Sequence, residues 1–186
     1  MDAIVRTNLD NLWAAGRQVQ NESFSYILDV TNQPVGWAYE AWDEMIANLG
    51  DKDNHNRAIA AQVLCNLAKS DPAYRMAGDF SALLAVTKDE RFVTARHCMQ
   101  ALWKVGVVGK KQQKLVIDGL TQRFKECRAE KNCTLIRYDI IQSLKNMYDV
   151  VADEKIRQKA LELIESEEDL KYRKKYASLW KSEKRK

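Results

Sequence analysis

Three stretches decide the fold: ANLGDKDNHNRAIAAQVLCNLA at residues 47–68, ALLAVTKDERFVTARHCMQALWKVG at 82–106, and CTLIRYDIIQSLKNMYD at 133–149. In each, apolar residues recur at steps of three and four, the spacing that lines one stripe of an α-helix. The stripes are Ile59, Ala60, Val63, Leu64 and Leu67; Ala95, Cys98, Met99, Leu102 and Val105; and Ile136, Ile140, Ile141, Leu144 and Met147. Placing Leu67, Leu102, Leu144 and Leu179 in one register aligns the three stretches with residues 176–179, at spacings of 35, 42 and 35 residues. Each unit is a helix, a short turn and a second helix. Neither helix can bury its stripe alone, so stacked pairs must share one continuous core.

Working outward, the 186 residues contain 7 glycines and 2 prolines, too few for the frequent turns of a sandwich or barrel or the tight glycine turns of a βαβ fold. Hydrophobic residues at 46% and charged residues at 30% exclude a disordered chain. Helix-stop and helix-start residues fall at Gly50-Asp51-Lys52-Asp53, at Ser70-Asp71-Pro72 with Pro72 at the first helical position, at 106–109, at Asn132 and at Ala152-Asp153. They predict ten helices, over about 3–19, 22–32, 36–49, 54–69, 71–86, 89–105, 110–129, 133–149, 152–165 and 167–182.

A leucine-rich first helix, an acidic turn, and a second helix with small residues early and leucine late resemble the HEAT and armadillo-like helical repeat families. The resemblance covers about residues 35–180. It implies an all-α, right-handed α-α superhelix, a short HEAT-like solenoid of about five helix pairs. The expected organisation is one solenoid domain over 1–186, with a capping helix pair at 1–33, helix pairs over 35–182 and a basic tail at 183–186. The proline common in the first helices of HEAT units is absent apart from Pro72.

No apolar run approaches the roughly 18 residues of a membrane span, and the amino-terminal stretch is broken by Asp2, Arg6 and Asp10. Neither a membrane helix nor a signal peptide is expected. Cys65, Cys98, Cys127 and Cys133 occur singly at helical positions, as free thiols of a cytoplasmic protein do. The net charge of +4 is uneven: residues 1–93 are net −5, and the last sixteen residues are net +7.

No catalytic motif is present, and no catalytic, cofactor or metal site is expected. Cys98 follows His97 directly, and helix neighbours one residue apart point in different directions, so they do not make a base and nucleophile pair. The acids Glu165, Glu167, Glu168 and Asp169 lack the spacing of a calcium loop and read as helix-start capping. His55 lies in the polar turn Asp53-Asn54-His55-Asn56 and reads as solvated capping.

The candidate binding surface comes from the register. Five residues before the shared leucine stand Gln62, His97, Asp139 and Lys174, on successive second helices. In a HEAT-like array these helices line the concave face. Arg96, Gln100, Lys104, Arg137, Gln142 and Asn146 fall on or beside that strip, which is read as either a ladder of interhelical hydrogen bonds or a partner surface. The favoured function is a non-enzymatic scaffold that binds a protein partner there. The alternative follows from a weaker resemblance, to the HEAT-like alkylpurine DNA glycosylases, which implies nucleic-acid binding through Arg96, Trp103, Arg137 and Asp139 with Arg173 and Lys174 of the basic end. Five tryptophans, Trp37 and Trp42 beside Tyr39 among them, could serve packing or base stacking. The net −5 of residues 1–93 speaks against a continuous basic track.

Overall fold

The computed structural model describes residues 1–181, and all regular structure among them is helical. Eleven helical segments follow in order: α1 (Ala3–Asn11), α2 (Arg17–Val30), α3 (Ala38–Asn48), α4 (Asn54–Leu67), α5 (Met76–Ala85), α6 (Phe92–Ala101), α7 (Trp103–Gly106), α8 (Lys110–Glu126), α9 (Cys133–Val151), α10 (Glu154–Glu165) and α11 (Leu170–Ser178). Segments α6 and α7 are one expected helix interrupted at Leu102, where the Val105 N–H takes the Leu102 carbonyl at a three-residue step. The basic tail 183–186 lies outside the described residues.

The helices pair as the register requires: α1 with α2, α3 with α4, α8 with α9, and α10 with α11, while α5 meets the α6–α7 helix through the 3-10 turn Val86–Lys88. The second members α2, α4, α6–α7, α9 and α11 pack side by side in one layer, called here the B layer. Of the first members, α3, α5, α8 and α10 pack in sequence as the A layer. Of the four aligned leucines, Leu67, Leu102 and Leu144 are fully buried between the layers, while Leu179, just past the end of α11, is half-buried; the apolar cluster around them runs from Val5 to Tyr176. Each such leucine contributes about 1.5–3 kcal/mol of burial, which an isolated helix could not collect.

Several expected boundaries shift, each for a local reason. The helix expected over 3–19 is two: α1 ends at Asn11, and the side-chain amide of Gln20 donates to the Leu12 carbonyl at 2.8 Å to close it. The helix expected from 71 starts at Met76, because Asp71 accepts the N–H groups of Arg75 and Met76 and Tyr74 turns to φ 57°, a left-handed conformation that ends any helical run. Pro72 therefore sits in the turn before α5 and not at its first position. Ala152 is left-handed at φ 49°, so α10 begins only after Asp153 caps it through the Lys155 N–H. Asp169 does the same for α11.

One glycine is fixed by packing. At Gly106 a methyl group would collide with Met147 Sδ and stand 3.4 Å from Val116 Cβ, where α7 meets α8 and α9. Gly106→Ala should lower unfolding stability by about 1–3 kcal/mol, although alanine is the better helix former. Urea unfolding checks it, and an unchanged or higher midpoint would contradict the close packing.

Candidate functional site

Helix stacking brings the register column onto the B layer, yet its members do not share one environment. Gln62 on α4 is half-buried and donates to its own helix at Ala58 O, 3.0 Å. His97 on α6 and Lys174 on α11 are exposed. Asp139 on α9 departs from the expected surface ladder, being only 2% exposed. The Arg96 guanidinium covers it, with Nε to Oδ2 at 2.7 Å and Nη2 to Oδ1 at 3.0 Å, and Gln100 adds an amide donor at 3.1 Å. Removing a carboxylate from water is costly, and these three donors offset that cost while tying α6 to α9.

Lys104 and Arg137 also act between helices. Lys104 on α7 donates to Asn66 Oδ1 at 2.7 Å, and Asn66 in turn donates to Leu28 O at 3.1 Å and Thr31 Oγ1 at 3.0 Å. This chain joins α7, α4 and the end of α2. Arg137 on α9 reaches Glu167 at 2.8 Å and Phe124 O at 3.2 Å, with its guanidinium carbon 4.5 Å from the centre of the Phe124 ring. Glu167 is buried and Arg137 half-buried in that pair, so Glu167 is an ion-pair partner and not a capping acid; Asp169 alone caps the helix. Glu167 keeps the Arg137 guanidinium above its ordinary range despite burial. Gln142 donates to Asn146 along α9, at 2.8 Å.

One grouping was not legible in the sequence. A groove of about 170 Å³ opens where α2, α4 and α6 meet, and both histidines line it, His55 from the first turn of α4 and His97 from α6. Asn21, Asn54, Gln62 and Thr94 supply polar groups to the same groove, and Phe24 and the exposed Val93 supply apolar surface. Asn54 and Thr94 hold the wall together: Thr94 Oγ1 donates to Asn54 O at 3.1 Å. Although His97 keeps an exposed edge, desolvation against the groove wall, then the charge of Arg96, then His55 push its imidazole below the ordinary histidine value, which favours its neutral form. Read one at a time, His55 belonged to a turn and His97 to a helix; only the stacking of α4 on α6 joins them.

The nucleic-acid candidates lose their ligand-facing role. Arg96 is bound to Asp139, and Arg137 to Glu167. Arg173 donates twice to the Glu167 carbonyl, at 2.8 and 2.5 Å. Trp103 is half-buried against the core, leaving Lys174 as the exposed cation of the set. Three of the four arginine and lysine candidates are thus spent inside the fold. Cys98 points inward, its thiol donating to Leu83 O at 3.3 Å, away from the exposed His97 ring.

No family model matches the chain, and no curated protein matches it. Among solved structures, one engineered protein superposes with a TM-score of 0.57 at 14% identity, covering 97% of this chain and 88% of its own. A second engineered protein gives 0.54 at 14% identity, covering 96% and 95%. A designed armadillo repeat protein aligns at 0.49 and 13% identity over 94% of this chain and 98% of its own. At these identities the likeness speaks of fold alone, and the fold is an all-α helical repeat. The weaker resemblance to alkylpurine DNA glycosylases is not supported.

Proposed function

We propose that this chain is a non-enzymatic helical-repeat scaffold that binds a protein partner across its B layer, within one array whose first pair, α1 and α2, is its cap. The observation that carries the reading is the groove at α2, α4 and α6, where polar side chains stand beside the apolar Phe24 and Val93. Gln62, His97 and Gln100 are the contact residues, with Lys174 further along the layer. Arg96, Lys104, Arg137 and Asp139 hold the helices that present them, while Gln142 bonds only along α9. This mixture of a few apolar groups and several amides and imidazoles suits a peptide, whose backbone offers both donors and acceptors. Buried free thiols at Cys65, Cys98 and Cys127 fit a reducing, cytoplasmic setting. Among the described residues no helix is long and apolar enough to cross a membrane.

A photo-crosslinking residue placed at Gln62 or His97 should trap the partner in an extract of the source cell, whereas one at Arg157 on α10 should not. Equal adducts from both layers, or adducts from α10 alone, would rule out the B layer as the interface. Acid should disturb the same groove. A depressed His97 value means that its neutral form contributes stability, which is full above about pH 6.5 and lost as pH falls through the lower folded value. The melting temperature should therefore drop as pH falls below about 6.5, and drop less in His97→Gln. Identical pH profiles for the two proteins would contradict the assignment.

A further inference from the structure

A second feature lies at the loop edge of the array. The connections α2–α3, α4–α5 and α7–α8 meet there around a pocket of about 420 Å³, with Val35, Ala38, Pro72 and Val108 giving it an apolar lining and Lys69 a charged wall. The repeat explains the lysine: Lys69 stands two residues after Leu67, and Lys104 two residues after Leu102, so both fall at the carboxyl ends of successive B-layer helices. The ends of α2 and α4 hold them through neutral oxygens, Asn32 O for Lys69 at 2.8 Å and Asn66 Oδ1 for Lys104 at 2.7 Å. Such sites position a cation favourably against the helix dipole but do not neutralise it.

Neither lysine makes an ion pair among the described residues. Many exposed lysines also lack one, but the other half-buried lysines among the described residues are paired, Lys145 with Asp149 and Lys159 with Glu162, each at 2.5 Å. The larger groove between α8 and α10, about 450 Å³ and rich in lysine, has Lys110 on Asp153 and Lys114 on Asp118, each at 2.5 Å. The carboxylate that does line the loop-edge pocket is Asp71, which is buried and already taken by the Tyr39 hydroxyl and by the N–H groups of Arg75 and Met76. Burial, together with Lys104 in the case of Lys69, holds both amines below the ordinary lysine range. Lys69 thus stands in the wall of an apolar pocket of ligand size as a partly desolvated charge without a counter-charge, and Lys104, close enough to lower its amine, adds a second uncompensated charge nearby.

We propose that this pocket docks a short acidic peptide segment, seating one apolar side chain between Val35, Pro72 and Val108 while its carboxylates meet Lys69, with the nearby charge of Lys104 adding to the attraction. A nucleic-acid strand fits less well. The pocket's one aromatic, Tyr39, has its ring engaged by Arg75 at 5.3 Å and by Trp42 at 5.8 Å, which leaves no free stacking platform. The proposal does not rest on the histidine groove, and separate variants tell the two apart.

The test is selection from a displayed library of short random peptides against the full chain, followed by anisotropy titration of the winners. The expected winners carry Asp or Glu flanking Leu, Ile or Phe, and the double variant Lys69→Ala, Lys104→Met should bind them at least about tenfold more weakly. Lys69→Arg with Lys104→Arg should retain binding, and Gln62→Ala with His97→Ala should leave it unchanged. Circular dichroism melting of each variant separates lost binding from lost fold. No enriched peptide, a pool without acidic excess, equal affinity for the alanine–methionine variant when folded, or equal competition by an oligonucleotide of the same charge would each overturn the proposal.

Discussion

Glu167→Ala should destabilise the fold by about 3–5 kcal/mol, because it strands the Arg137 guanidinium in a buried site. Arg137 and Glu167 are 13% and 7% exposed at the side chain and meet at 2.8 Å. The loss is large against the roughly 5–15 kcal/mol that holds a typical domain together. It should be felt first at the carboxyl end of the array, because the Glu167 carboxylate also accepts the Asp169 N–H at the turn that opens α11. Hydrogen exchange should therefore show α11 opening before α4 or α6. The double variant Arg137→Met, Glu167→Leu tests the cause: replacing both charges by apolar groups should recover most of the loss, because the penalty comes from the stranded charge rather than from the missing attraction. A double variant no more stable than Glu167→Ala would show instead that the pair is needed for its geometry.

The repeat register was legible in the sequence because it depends on spacing alone. Leu67, Leu102 and Leu144 are fully buried where their alignment puts them, and the layers follow from it. Helix ends were harder to read. A run such as 3–19 has a helical pattern throughout, and the side-chain cap from Gln20 to the Leu12 carbonyl that breaks it is a contact across a turn, invisible to periodicity. The column Gln62, His97, Asp139 and Lys174 shows the same limit in the site. The register fixes which layer a residue joins, but whether it faces solvent depends on the neighbour across the helix gap. Asp139 is buried because Arg96 and Gln100 reach it from α6, whereas His97, one position from Arg96, stays exposed. The convergence of His55 with His97, and the missing counter-charges at Lys69 and Lys104, likewise arise between helices far apart in sequence. A residue's chemistry is local; its pairing is a property of the stack.

Trp42→Ala should cost about 3–5 kcal/mol in unfolding stability, the range for emptying a buried large aromatic. Trp42 has no exposed surface, packs edge-on to Tyr39 at an interplanar angle of 81°, and donates its indole N–H to Asp79 at 2.8 Å. That bond ties α3 to α5, so the variant loses a layer contact and leaves Asp79 one donor short in addition to opening a cavity. Trp42→Phe should fall between, because it keeps most of the ring volume and loses only the donor. These figures bear on function as well as on stability. Tryptophan near tyrosine and arginine is the composition of a base-stacking surface, and residues 37–42 with Arg75 nearby have it. With the ring sealed between helices, no base or peptide can reach its faces. Trp42→Phe should therefore lower the urea midpoint while leaving peptide affinity at the Lys69 pocket and crosslinking at His97 as in the parent protein. Parent-like stability combined with lost ligand binding would place the ring at an exposed surface and refute the assignment of Trp42 to the core.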